Sequence, residues 1–453
     1  MERESERGPA ARATPSLVRR TVVQIVVPAA IGGATGACVA GASLLVEDRA
    51  LEALASLPGA LPALPSLVAL LLTLLVVRHV TRVARPATAE VYIVAFHDPR
   101  ARISLRELPG RVLAAAVTVA GGGSQGLESP SALIGASLGQ LAGDRLPRIS
   151  APEMRAWMIS GASAGIAAVF SSPGVGAMYG IEVPFRRDLD APRLVPAAVA
   201  AGAAYLTRAA LIGPHHLVTF SGAPVLDHVF VLGCLLVALG CGIGARLFAL
   251  ATEALHHLAP RIVPWRRAAL GGLILAALAW SGHALAGTWI TFGPGYVAAA
   301  WLEGGEHAIA LLAVTMLVRT AGTLTCVFGG GGGGVFTSLA VTGVFVGEIV
   351  AQGLARSESN FFPILGAACF LAGGYRIPMA GMLFVAESTG DLVLTVLGFA
   401  AVSLVQVLMG DDSVSDAKHD TRADALVSGA VAADAIPAAE ASGTGASPRP
   451  GKG

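Results

Sequence analysis

Charge is scarce in this chain: Asp, Glu, Lys and Arg make up 13% of its 453 residues, against about 25% in an ordinary soluble domain. That scarcity argues against a water-soluble enzyme, because apolar residues reach 54% and recur in long runs between Val22 and Met409. Leu64 to Val77, Val229 to Leu239, Leu270 to Trp280 and Leu392 to Met409 are among them. Several approach the ~20 residues that a helix needs to cross the hydrocarbon of a bilayer. With a formal net charge of +1, there is no basic footprint for nucleic acid. Cysteines number five, Cys38, Cys234, Cys241, Cys326 and Cys369. They lie mostly in apolar segments without metal-ligand spacing and read as small hydrophobes, neither disulfides nor ligands. The ten histidines are scattered, and adjacent pairs point to different helix sides, so no metal is expected. Lysine is missing after the longest glycine run: Gly329 to Gly334 continues into Val335, Phe336 and Thr337, where a phosphate loop needs G-x-x-x-x-G-K-[ST]. A nucleotide-binding enzyme is set aside on that ground, and no cofactor is expected.

What is present is an all-helical membrane protein with unevenly placed charge. Arg78, Arg82 and Arg85 follow one apolar run, Arg186 and Arg187 another, and Arg261, Arg266 and Arg267 occupy a third connection. Arginine clusters in short connections mark the cytoplasmic face. The stretch holding Glu47, Asp48, Arg49 and Glu52 is net acidic and is expected as an external loop. Residues 1 to 20 are polar and Arg-rich, with no short apolar stretch and A-x-A-like site behind them, so they read as a cytoplasmic tail and not as a removed signal peptide. From Asp411 to Gly453 the chain is rich in Ala, Ser, Asp, Gly and Pro without periodicity. Such a segment buries too little apolar surface to fold alone. The expected organisation is therefore a tail over 1–20, a membrane domain over 21–410 with halves at about 21–212 and 226–410, and a mostly disordered polar tail over 411–453.

Glycine patterns carry the functional signal. GGGSQG at Gly121 to Gly126 and the six-glycine run ending at Gly334 each precede an apolar helical pattern. Aligning Gly126 with Gly334 places Gly135 on Gly343 and Gly139 on Gly347, so each half reads as a Gly-rich loop and then a helix with a G-x-x-x-G face. In FSSPGVGAMYGIEV, Gly176 and Glu182 follow Pro173 at the same distances that Gly381 and Glu387 follow Pro378 in YRIPMAGMLFVAES. Repeats broken by Gly or Pro at corresponding positions point to a binding site near the bilayer midplane. A helix starting there directs four unpaired N–H groups and roughly half a positive charge into the cavity, which suits an anion. Glu128, in GLESPSALIG, opens the first such helix. An ionisable residue at that depth is costly and usually functional, and its carboxylate can occupy an anion site as a tethered anion released by protonation.

G-L-E-S-P at Gly126 to Pro130, the stretch from Phe170 through Pro173 and Gly176 to Glu182, and G-G-V-F at Gly333 to Phe336 together resemble the CLC chloride channel and transporter family. The likeness runs from about Val22 to Arg422 and corresponds to a short prokaryotic-type member without CBS domains. It implies an inverted-repeat bundle of tilted and broken transmembrane helices, a homodimer with one pore per subunit, and Glu128 as the gating glutamate. It also implies that backbone near Gly126, Leu127, Val335, Phe336 and Thr337 holds the anion. The expected setting is a bacterial plasma membrane with both termini cytoplasmic.

The departures from that pattern matter as much. Ala87 stands where the family has a pore serine, with Thr88 beside it, and Ser415 stands where it has a pore tyrosine. Ser338 replaces a proline after G-x-F-x. Proton-coupled members carry a second glutamate after the one matching Glu182, whereas this chain has Val183. The internal end of a proton path is then missing, which favours a passive or weakly coupled chloride channel over a chloride/proton exchanger or a non-conducting scaffold. Glu182 and Glu387, paired by the repeat, are read first as structural residues near helix ends, with proton relay through Glu182 second.

Overall fold

A computed structural model describes residues 17–81, 89–98, 101–214, 216–415, 417–421 and 424. Among them all regular secondary structure is helical, with no β-strand beyond isolated bridges. Eight helices are long and apolar enough to cross a membrane, and large apolar side chains such as Leu206, Leu247, Leu392 and Val407 lie on the outside, as lipid-facing positions do. The acidic stretch expected as an external loop instead continues the first helix, which runs from Leu17 to Ala55. A polar stretch need not break a helix when it contains neither Gly nor Pro to interrupt the backbone.

The two halves pack alike because their small residues recur in register. Helix Glu128–Arg145 lies against Ala151–Phe170, and helix Phe336–Gly353 lies against Phe361–Tyr375. A Cβ on Gly135 would come within 1.9 Å of the Gly161 carbonyl oxygen, and one on Gly343 within 2.0 Å of that of Gly366. Only glycine permits this approach, so the G-x-x-x-G faces are where neighbouring backbones touch.

Each half then turns sharply before its second short helix. Ser171 and Arg376 both adopt left-handed backbone, with φ of 52° and 50°, two residues ahead of the prolines that open Pro173–Glu182 and Pro378–Thr389. Proline suits a first helical position because its missing N–H is unpaired there anyway. These two short helices lie antiparallel and cap one another. The N–H groups of Gly174 and Val175 donate to the Glu387 carboxylate at 2.6 and 3.3 Å, and those of Met379 and Ala380 donate to the Glu182 carboxylate at 2.8 Å each. Helix Leu194–Ile212 packs on Pro173–Glu182 of this antiparallel pair, and Leu392–Met409 packs on Pro378–Thr389.

Beyond Met409 the chain does not leave the body at once. The N–H of Val414 donates to the Gly374 carbonyl, and Arg186 and Arg187 donate their backbone N–H groups to His419 and Asp420. Residues 411–415 and 417–421, assigned above to the polar tail, are held by these backbone bonds, which a reading of apolar periodicity does not register.

Candidate functional site

The two glycine-rich loops meet each other. Gly126 N–H donates to the Gly334 carbonyl at 3.0 Å, and Gly334 N–H donates to that of Gly126 at 2.8 Å. The pair brought into register by the sequence repeat is the pair in contact. Each loop then starts a helix, at Glu128 and at Phe336, so two helix N-termini converge on one place inside the protein.

Glu128 fills that place. Its side chain is fully buried, and Oε1 accepts the backbone N–H of Thr337 at 2.9 Å together with the Thr337 hydroxyl. Thr337 lies in the first turn of the opposite helix, so the carboxylate takes up an N–H with no partner inside its own helix. Oε2 has no hydrogen-bond partner. The carboxylate oxygens lie where a Cβ on Gly126 or Gly334 would be, at 2.4 and 2.5 Å; the glycines leave the space that the group occupies.

Of the other expected anion-holding residues, Gly126, Leu127, Val335 and Phe336 surround this point as loop ends or first helical residues and are all buried. Ala87 and Thr88 lie outside the described residues. Ser415 is buried, and its hydroxyl has no partner among the described residues. Val183 is fully buried, so no ionisable side chain stands at the position where a second glutamate was sought.

Several residues at the site had drawn no attention in the sequence. Arg319, 1% exposed, donates to the carbonyls of Ile290, Gly293 and Pro294 at 2.6, 3.1 and 2.5 Å, and its charge acts on Glu128. It is the sole charged residue in the helix Ile309–Gly329, and an intramembrane arginine is signal enough to have marked it. Phe170, Tyr179 and Tyr375 pack around Phe336 with ring centroids 4.7, 5.3 and 5.3 Å away. The Tyr179 hydroxyl lies 2.5 Å from that of Tyr92, and the Tyr375 side chain is close enough to that of Ser129, next to Glu128, to interact with it. Tyrosines in apolar helices read as packing, which is why the sequence alone did not single them out.

Comparisons with known proteins bear on the family and the fold. The family described as voltage gated chloride channel matches residues 68–409. The H+/Cl− exchange transporter ClcA of Salmonella paratyphi A is 27% identical over 328 residues, covering 67% of each chain. A crystal structure of a CLC-type fluoride/proton antiporter superposes with a TM-score of 0.75 at 20% identity, covering 90% of this chain and all of that one. A slow cyanobacterial Cl−/H+ antiporter gives a TM-score of 0.73 at 19% identity, covering 85% of this chain and 94% of its own.

Proposed function

This chain belongs to the voltage gated chloride channel family, whose work is anion transport through an integral membrane protein, and we propose that it exchanges a small anion, chloride first, for protons. The observation that carries this reading is the Glu128 carboxylate seated on the N-terminus of the opposing helix. A single group that occupies an anion site when charged and vacates it when protonated links the two ions in one cycle. Ionised Glu128 closes the site; a proton neutralises it, weakens its hold on the Thr337 N–H and lets an anion take its place.

Val183 had favoured a passive channel. ClcA of Salmonella paratyphi A, one of the matched relatives, is named an H+/Cl− exchange transporter, which favours the exchange reading placed second on sequence grounds; in that reading proton delivery does not depend on an acid at position 183. Gly126, Leu127, Val335, Phe336 and Thr337 are assigned as the anion cradle and Ser415 as a hydroxyl donor along the path. The protein is assigned to a bacterial plasma membrane, with Arg186, Arg187 and Arg376 on the cytoplasmic side, where basic residues raise the local anion concentration.

The test is purified protein in liposomes under an outward chloride gradient, recording chloride efflux and external pH together. Exchange requires uphill proton uptake in fixed ratio to chloride. Chloride efflux without proton movement would return the chain to the channel reading.

A further inference from the structure

The exchange reading leaves a question of chemistry: a proton must reach buried Glu128 from the Arg-rich face, and Val183 offers it nothing. Lys418 stands near that gap. Its side chain is 6% exposed, and its ammonium donates to the Tyr375 carbonyl and, at 3.4 Å, to that of Arg376. A lysine buried against carbonyls at the end of a helix is unusual, because removing an ammonium from water is costly unless it is paired or able to lose its charge. Glu182 is the carboxylate whose charge acts on it, while Arg376 and Arg186 oppose it from the corner and the connection packed alongside. Glu182 is itself engaged in capping Met379 and Ala380 and forms no contact ion pair with the lysine. Burial pushes the Lys418 ammonium down to about 7, so it gains and loses protons near neutral pH.

Tyr375 joins this lysine to the anion site. Its carbonyl holds the Lys418 ammonium, and its side chain is close enough to that of Ser129 to interact with it. The residue therefore spans from the Arg-rich face to the neighbour of Glu128.

We propose that Lys418 and Tyr375 carry the proton to Glu128 in this protein, in place of an acid at position 183. The proposal rests on the exchange reading. In the step, one N–H bond of the Lys418 ammonium breaks, and its proton passes through a bridging water to the Tyr375 hydroxyl oxygen. Tyr375 releases its own hydroxyl proton to Ser129, and Ser129 releases its own to the Glu128 carboxylate, where one O–H bond forms. Both hydroxyls and the water are regenerated. The neutral amine then takes a proton from the aqueous side, and the net event is one proton moved inward to Glu128.

The discriminating variants are Lys418→Arg and Tyr375→Phe, with Lys418→Met as a third. Arginine keeps the charge and the donors to the two carbonyls but does not deprotonate in proteins. Phenylalanine keeps the ring against Phe336 and removes only the hydroxyl. In liposomes under a chloride gradient, the ratio of proton uptake to chloride efflux falls at least tenfold in each variant relative to wild type. Wild-type uptake slows as pH on the Arg-rich face rises beyond about 7, because the loaded ammonium is depleted. Chloride efflux in the same vesicles reports that the protein is folded. A wild-type ratio retained in Lys418→Arg and Tyr375→Phe overturns the proposal. So does joint loss of both fluxes in Lys418→Arg and Lys418→Met, which makes the lysine structural. Chloride flux without protons in the wild type is a separate outcome: it removes the exchange reading before any variant is compared.

Discussion

At the scale of single residues, the site turns on how tightly a carboxylate is held where an anion belongs. Thr337 supplies Glu128 with both its N–H and its hydroxyl, and a hydrogen bond to a charged group is worth about 1.5–3 kcal/mol. Removing the hydroxyl while keeping the backbone donor should loosen the closed state by about tenfold. Thr337→Val is therefore expected to raise chloride efflux at pH 7.5 toward that of Glu128→Gln, in which the tethered charge is gone altogether and the pH dependence of flux flattens. Efflux in Thr337→Val equal to or below wild type would mean that the hydroxyl does not hold the gate. Lys418 makes a second residue-level case, this time on stability. Its folded pKa of about 7 lies below the ordinary 10.5, so between these values the unfolded chain binds more protons than the folded one. Stability then rises with pH across that window. The apparent melting temperature in detergent should climb from pH 6.5 to pH 9, and the climb should shrink in Lys418→Met. An identical slope in that variant would show that other groups set it.

At the scale of elements, the reciprocal caps between Pro173–Glu182 and Pro378–Thr389 tie the two halves together. Each carboxylate accepts two first-turn N–H groups from the other half, an arrangement worth about 1–2 kcal/mol per cap. Glu387→Ala should lower the melting temperature in detergent and speed loss of monodispersity, while leaving the proton-to-chloride ratio of surviving protein as in wild type. A changed ratio with unaltered thermal behaviour would assign Glu387 to transport instead. These caps show what was legible in the sequence and what was not. The matching offsets of Glu182 and Glu387 behind Pro173 and Pro378 marked both as structural residues near helix ends, and that is where they stand. That each caps the other half's helix was hidden, because the antiparallel pairing of two short helices from different halves is a tertiary fact with no local signature. The same division holds at the site. The register of Gly126 with Gly334 was readable from glycine spacing alone, and those residues hydrogen-bond each other. Tyr375 and Lys418 were not readable, since a tyrosine in an apolar helix and a lysine beyond the last helix acquire meaning only when folding brings the two together.

At the scale of the whole molecule, the inverted repeat places the antiparallel short helices in a slab between Leu194–Ile212 and Leu392–Met409. That slab carries a dense set of exposed apolar side chains: Leu194, Val195, Leu206 and Leu211 on one helix, Met379 at the centre, and Leu392, Val393, Val396, Phe399 and Val407 on the other. Exposure of this kind serves equally against lipid tails, so apolarity alone does not make it an interface. The repeat adds a geometric reason. Two equivalent helices flanking a central antiparallel pair form a surface with approximate internal two-fold symmetry, and such a surface is self-complementary when a second copy approaches across a true two-fold axis. We expect a homodimer built on this slab, with one anion pathway in each subunit, because Glu128 and its cradle lie wholly within one chain. Mass measurement in mild detergent should give two chains per particle. Leu206→Trp combined with Val396→Trp should shift the population to monomers that still move chloride. Particles of one chain at every concentration in the wild type, or dimers that persist in the double variant and in Trp variants across the rest of the slab, would place the contact elsewhere or remove it.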